Sequence, residues 1–169
     1  TGGALYDSGC ALTPELRAFV PKSVELISGS GNLPVSLVLD SSYGEEQYKL
    51  VVEPSGAAVI ASTSKGAYYA LCTLSQLFAL NGGQAPCCVV EDQPTMPVRG
   101  FSDDISRGQI STMENFKDII RRMSLIKCNL YMPYIEDVLA LKRLPQSGKF
   151  SDPMSADEWK ELVSYAKDY

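Results

Sequence analysis

Charged side chains are concentrated at the ends of two predicted strands in the second half of the chain. Arg99 opens the first of these strands and Asp103 and Asp104 lie near its end, whereas Glu136 and Asp137 directly follow the second. Considered alone, Arg99 suits a salt bridge to either aspartate, and the last two acids suit the start of a solvated loop. An arginine fork also suits adjacent hydroxyl groups, because it donates paired hydrogen bonds of fixed geometry. Both kinds of role remain open on the residues alone.

The composition excludes several kinds of chemistry. The 169 residues include no histidine, so a Ser-His-Asp triad or a Cys-His pair cannot form within this chain, and an imidazole-ligated metal site is not expected. The five cysteines form no CxxC pair and are expected to be small core residues. A net charge of −5 without a basic run argues against a nucleic-acid partner. No apolar run approaches the roughly 18 residues of a membrane span, and we expect no cofactor.

Residues 1–95 are predicted to form a separate small domain. A helix begins at Thr13, where a capping side chain is followed by proline, and residues 28–32 break the chain before the first strand. The remaining predicted elements are strands over 35–39, 48–53 and 57–61, a helix that ends at 81–83, and a short strand over 87–90. The second and third of these strands form a hairpin around a Pro-Ser-Gly turn. We therefore expect an α+β domain with a mostly antiparallel sheet.

Residues 96–169 change to an alternating pattern of strands and helices. Strands are predicted over 98–105 and 128–135, and each is followed by a helix whose start resembles a capping box. The two capping boxes are Ser111 with Glu114 and Ser155 with Glu158. The order β-α-β-α predicts a parallel sheet with crossover helices.

Two βα units are too few to complete such a sheet. They cannot close a barrel or cover both faces of a parallel sheet, and the second strand would keep an exposed edge. We therefore expect the chain to be the N-terminal part of a longer protein. The alternative is a compact domain in which these helices fold back on the first sheet.

Several segments resemble glycoside hydrolase family 20, the β-N-acetylhexosaminidases. Residues 48–52 (YKLVV) and 58–77 (AVIASTSKGAYYALCTLSQL) are similar to the strands and helix of the family's accessory domain, and 89–94 (VVEDQP) resembles the segment that leaves it. Residues 99–107 (RGFSDDISR) resemble the family's first barrel strand, R-G-x-x-x-D-x-S-R. Residues 127–130 (KCNL) match the K-x-N start of its second strand.

The resemblance implies a fold and an activity for the parent protein. The fold is a zincin-like α+β accessory domain, with helices on its sheet, followed by a (β/α)8 barrel of which residues 96–169 supply the first two βα units. The family removes terminal β-linked N-acetylhexosamine with retention, and the substrate's own acetamido oxygen attacks the anomeric carbon. The Asp-Glu pair that assists this reaction lies beyond Tyr169, so the resemblance implies no catalytic residue in this chain. The implied partners are a glycan ending in N-acetylhexosamine and the rest of the barrel.

The resemblance also assigns roles to individual residues. It implies that Arg99 clamps the sugar and that Asp104 and Arg107 form a scaffold at the strand end. Glu136 and Asp137 are implied as substrate-binding residues, because they follow a barrel strand at its carboxyl end. The family's His-x-His segment is replaced here by Met-Pro-Tyr at 132–134, which departs from the usual second-strand network.

Two other functions fit the same residues. One is a different glycosidase that shares the accessory domain, of the O-GlcNAc hydrolase or α-glucuronidase type, and the other is a non-catalytic sugar-binding or interaction module. The first residues, Thr-Gly-Gly-Ala, lack the features of a secretory leader, so we expect either a cytosolic protein or one whose leader has been removed. Family habit favours a secreted, periplasmic or lysosomal location.

Overall fold

The computed structural model describes residues 10–20, 33–108, 110–144, 146 and 153–169. The chain consists of two compact units, residues 1–97 and residues 98–169. The predicted break at 28–32 lies outside the described residues.

The first unit is a five-stranded sheet with helices. Its elements are β1 (Cys10–Leu12), α1 (Pro14–Phe19), β2 (Leu33–Leu39), β3 (Tyr48–Glu53), β4 (Gly56–Ala61), α2 (Ser64–Leu80) and β5 (Cys88–Asp92). The predicted hairpin is confirmed as β3 and β4, and Thr13 caps α1 by accepting a hydrogen bond from the Leu16 backbone. The strand β1 was not predicted, because three residues carry too short a pattern to recognise.

The sheet is mixed, so the prediction of a mostly antiparallel sheet is wrong. The strand order is β1-β2-β4-β3-β5, with β1 parallel to β2, β2 parallel to β4, and β3 antiparallel to both β4 and β5. The hairpin explains the error: β4 lies between β2 and β3, so β2 pairs with the strand that runs in its own direction. Which strands pair depends on contacts between segments that are far apart in the sequence. The residues of one strand therefore do not reveal its partner.

Helix α2 covers one face of this sheet. The inward residues of β3 and β4, including Tyr48, Leu50 and Val59, are almost completely buried together with the apolar side of α2. Gly66 permits this packing, because a Cβ atom there would lie 2.6 Å from the backbone oxygen of Gln47.

The predicted core role of the cysteines holds only in part. Cys10 and Cys72 are buried, Cys88 and Cys128 are half-buried, and Cys87 is exposed. Cys87 directly precedes β5, the strand at one edge of the sheet.

The second unit contains a βαβα arrangement. Its elements are β6 (Gly100–Asp104), α3 (Met113–Leu125), β7 (Leu130–Tyr134) and α4 (Ala156–Ala166). The strands β6 and β7 pair in parallel, as predicted, and α3 forms the crossover between them. The capping box of α4 is confirmed, since the Ser155 and Glu158 side chains each bond the other residue's backbone.

Helix α3 begins one residue later than the capping box predicted. Thr112 is the N-cap and accepts a hydrogen bond from the Asn115 backbone at 3.2 Å, while Ser111 accepts one from the Asn115 side chain. Ser and Thr both cap well, so their sequence does not decide which adopts the capping position.

The core of the second unit lies on one side of the strand pair. Its buried side chains are Ile105, Phe116, Ile120, Val138, Met154 and Leu162. Gly100 allows the strands to meet, because a Cβ atom there would lie 2.2 Å from the Leu130 backbone oxygen. The opposite face of β7 is open, and Leu130, Met132 and Tyr134 are 43%, 52% and 45% exposed.

Candidate functional site

The carboxyl ends of β6 and β7 bring together a cationic side chain and two carboxylates. Arg107 Nη2 lies 3.4 Å from Glu136 Oε1, and Arg107 Nη1 lies 3.6 Å from Asp104 Oδ2. All three side chains are open to solvent, with Arg107 69% exposed. The arrangement offers hydrogen-bond donors and acceptors side by side, which is what a pair of adjacent hydroxyl groups requires.

Ser106 joins the two strand ends. Its hydroxyl donates to the Tyr134 carbonyl at 3.1 Å and accepts from the Glu136 backbone N–H at 2.7 Å. Its own N–H donates to Asp104 Oδ1 at 3.1 Å. Ser106 therefore holds the Glu136 backbone through its hydroxyl and the Asp104 carboxylate through its own backbone N–H.

Tyr134 contacts both sides of the cluster. Its hydroxyl donates to Glu136 Oε1 at 2.9 Å, and the Arg107 guanidinium lies over its ring at 5.5 Å from the centroid. The hydrogen bond to Glu136 and the negative charge of that carboxylate raise the pKa of the Tyr134 hydroxyl above its usual value. An aromatic face attracts a cation, so the Tyr134 ring helps to fix the position of the Arg107 guanidinium.

Sequence reasoning assigned no role to Tyr134 or Ser106. In the sequence, Tyr134 stands out only as a departure from the family's His-x-His segment, and Ser106 is one residue of the first-strand motif. Their positions directly after two parallel strands were the available signal, because such carboxyl ends meet at one edge of a sheet.

Asp137 and Val138 continue the loop that Glu136 begins. Asp137 is half-buried, and Val138 is buried in the core of this unit. The core therefore holds the loop immediately beyond the two predicted acids. The structure places Asp137 next to the cluster along the chain.

Arg99 directly precedes β6 at the amino end of the strand pair, whereas Glu136 and Asp137 follow the carboxyl end of β7. Its Nε donates to the Lys127 carbonyl at 2.8 Å, and its backbone N–H donates to Asn129 Oδ1 at 2.9 Å. The Asn129 N–H returns a bond to the Arg99 carbonyl. At about 3.3 Å per residue, the five residues of β6 separate the two ends by on the order of 15 Å.

The K-x-N motif has a structural explanation at this amino end. Lys127 has a positive φ of 62°, which ends α3 in the left-handed conformation that commonly closes a helix. Asn129 then ties the start of β7 to the start of β6 through Arg99. The motif residues therefore hold the strand pair in register.

Asp103 turns to the opposite face of the sheet from Asp104. Tyr131 donates its hydroxyl to Asp103 Oδ2 at 2.6 Å and packs its ring near Phe116. Burial, followed by this hydrogen bond, raises the pKa of Tyr131 well above its usual value. Asp103 thus belongs to the packing under the strands and not to the exposed cluster.

The described residues show neither a membrane-spanning helix nor a metal-binding cluster. No described helix is long and apolar enough to cross a membrane. Among the same residues, no three His, Cys, Asp or Glu side chains converge in a way that could hold a metal ion.

Comparison with known proteins finds similarity to glycoside hydrolases. Residues 12–93 match the family described as glycosyl hydrolase family 20, domain 2. A β-hexosaminidase of Akkermansia muciniphila is 27% identical over 175 residues, covering 89% of this chain and 33% of that protein. A chitooligosaccharidolytic β-N-acetylglucosaminidase of Ostrinia furnacalis is 34% identical over 112 residues, covering 60% of this chain and 18% of that protein.

Solved structures agree in fold. The family-20 exo-β-N-acetylglucosaminidase of Vibrio harveyi, solved in complex with N-acetylglucosamine, superposes with a TM-score of 0.75 at 21% identity. The match covers 95% of this chain and 31% of that one. The chain thus spans about a third or less of the length of these relatives. Residues 12–93 thus match domain 2 of glycosyl hydrolase family 20, and the chain is similar to part of the family-20 β-N-acetylhexosaminidases.

Proposed function

We propose that this chain is the N-terminal part of a glycoside hydrolase that releases terminal β-linked N-acetylhexosamine. The observation that carries the proposal is the donor–acceptor cluster of Asp104, Arg107 and Glu136 at the carboxyl ends of two parallel strands. Active sites of βα-barrel enzymes gather at that end of their strands. The similarity of the chain to named β-hexosaminidases supports the choice of sugar.

The proposed reaction is substrate-assisted hydrolysis with retention, and its Asp-Glu pair lies beyond Tyr169. In that scheme the acetamido oxygen of the sugar attacks the anomeric carbon, so no protein nucleophile is needed. The residues of this chain would bind and orient the sugar and would perform no proton transfer.

We further propose that Arg107, with Glu136 and Asp137, contacts the sugar and that Asp104 orients Arg107. The resemblance gave the sugar contact to Arg99 and the scaffold role to Arg107. The geometry favours the reverse assignment: Arg107 is exposed beside two acceptors, and Arg99 is bonded to the Lys127 carbonyl at the opposite strand end.

The domain organisation and the finer fold belong to the same proposal. Residues 1–95 would form the zincin-like accessory domain, and residues 96–169 would form the first two βα units of a (β/α)8 barrel. The exposed face of β7, which includes Leu130 and Met132, supports this proposal. Further barrel strands would cover that face, because barrel interiors are filled by layers of side chains.

Two matched variants test the site assignment. N-acetylglucosamine binding by the chain is measured calorimetrically for the unaltered protein and for R107Q and R99Q. We expect R107Q to weaken binding by at least tenfold, because a charged hydrogen-bond partner is lost, whereas R99Q lowers stability and leaves affinity within about twofold. The reverse ranking would restore the assignment of Arg99 as the sugar clamp.

A turnover assay tests where the chemistry resides. We expect no significant hydrolysis of a chromogenic N-acetylglucosaminide by these 169 residues. Robust turnover would contradict the placement of the catalytic pair beyond Tyr169.

The departure at 132–134 favours one second candidate, a glycosidase of the O-GlcNAc hydrolase or α-glucuronidase type. Met132 and Tyr134 occupy the positions where the hexosaminidase family usually carries histidines. If the chain binds glucuronic acid more tightly than N-acetylglucosamine, this result would favour the α-glucuronidase candidate.

A further inference from the structure

Tyr134 contacts two charged residues of the exposed cluster, Glu136 and Arg107. The Tyr134 hydroxyl bonds Glu136 at 2.9 Å, and its ring lies under the Arg107 guanidinium at 5.5 Å. The same Glu136 oxygen is the one that Arg107 approaches at 3.4 Å. Tyr134, Glu136 and Arg107 therefore form a closed triangle of contacts.

The triangle differs from an ordinary surface ion pair. Exposed pairs between long side chains hold no single geometry, because ordering both chains costs rotamer entropy. Here an aromatic side chain with only two rotatable bonds contacts each partner, and Ser106 fixes the backbone of both Tyr134 and Glu136. The charged groups are thus held in place before any ligand arrives, which reduces the cost of ordering them on binding.

We propose that Tyr134 is a positioning residue for sugar recognition: it fixes the Glu136 carboxylate and seats the Arg107 guanidinium as one preformed acceptor–donor pair for adjacent ring hydroxyls. This inference rests on the proposed function, because it names how that site is prepared for its ligand. The chain achieves the preparation with a phenol, which stays neutral across the physiological pH range.

A double-mutant cycle tests the inference. The affinity for N-acetylglucosamine is measured for the unaltered chain, Y134F, E136Q and Y134F/E136Q. We expect Y134F to weaken binding about three- to tenfold, in line with the loss of one hydrogen bond to a charged group. The double variant should bind no more weakly than E136Q alone, because Tyr134 acts through Glu136.

Two further measurements separate positioning from general damage. The Arg107 side-chain N–H signals in a ¹⁵N NMR spectrum should shift in Y134F and shift further in Y134L, which also removes the ring. Y69F is the matched control, because Tyr69 donates its hydroxyl to Glu46 in the first unit. It should alter neither the Arg107 signals nor the affinity.

The outcomes distinguish this inference from the proposed function. If the unaltered chain does not bind N-acetylglucosamine, the proposed function fails. If it binds and Y134F binds equally tightly, or if the effects of Y134F and E136Q simply multiply, the positioning role alone is overturned.

Discussion

At the scale of single residues, the role of a charged side chain depends on its place along the strand and on its contacts, and not on its charge alone. Arg99 and Arg107 flank the same nine-residue motif, yet they lie at opposite ends of β6 and have different partners. The sequence predicted that both are important. The resemblance assigned the sugar contact to Arg99 and the scaffold role to Arg107, whereas the residues alone could not decide, because the answer depends on which end of the strand faces the ligand.

Gly100 provides a stability test at this scale. Replacing it with alanine places a Cβ atom 2.2 Å from the Leu130 carbonyl oxygen, a backbone atom that cannot move without disrupting β7. We expect G100A to destabilise the second unit by about 1–3 kcal/mol or more, as overpacked sites do. Urea unfolding followed by tryptophan fluorescence reports on this unit, since Trp159 is the chain's one tryptophan.

The control for this substitution is G44A. The nearest atom to a Cβ at Gly44 lies 3.7 Å away, which is ordinary contact. Equal unfolding midpoints for G100A and the unaltered chain would show that the strands do not pair as closely as described.

At the scale of elements, helices were easier to predict than the sheet that they cover. The starts of α1 and α4 followed from local capping chemistry, and α2 and α3 followed from apolar spacing, because all these signals lie within a few residues. The short strand β1 and the parallel pairing of β2 with β4 were missed, since neither has a local signature. Strand pairing depends on partners more than twenty residues away in the sequence.

The capping box of α4 gives a prediction for a single element. Ser155 accepts from the Glu158 N–H at 3.2 Å, so S155A leaves that donor without its cap. We expect a loss of about 1 kcal/mol in unfolding free energy of the second unit. S164A on the exposed side of the same helix should be neutral or slightly stabilising, because alanine is the best helix former. A ranking in which S164A costs more than S155A would contradict the capping role.

Helix α3 has a pH-dependent element in Asp118. Hydrogen bonds from Arg122 first and Arg121 second lower the pKa of this carboxyl below its ordinary 3.8. A lowered pKa means that the carboxylate stabilises the folded state fully above the unfolded-state pKa and loses this effect as the pH falls through the lowered value. D118N should therefore be less stable than the unaltered chain at pH 7, and the difference should shrink as the pH falls below the ordinary aspartate pKa.

The measurement for Asp118 is a series of urea midpoints between pH 7 and pH 2. R122Q should reduce the same pH dependence, because Arg122 Nε lies 2.6 Å from Asp118 Oδ2 and makes the larger contribution. A stability difference between D118N and the unaltered chain that persists unchanged at pH 2 would exclude this linkage.

At the scale of the whole molecule, the change of pattern along the sequence corresponds to two kinds of compact unit. Residues 1–97 contain a mixed sheet covered by α2, and residues 98–169 contain parallel strands with one open face. The prediction of alternating strands and helices was sufficient to identify the second kind. The exposed apolar face of β7 could not be read from sequence, because its alternating side chains equally suit a covered sheet.

The most direct test of the central claim is a two-dimensional NMR titration of the 169-residue chain with N-acetylglucosamine. We predict saturable shifts confined to residues 104–107 and 134–137, at the carboxyl ends of β6 and β7, and their loss in R107Q. Shifts centred on Arg99 and Asn129 at the opposite strand ends, or no saturable shift at all, would contradict the claim.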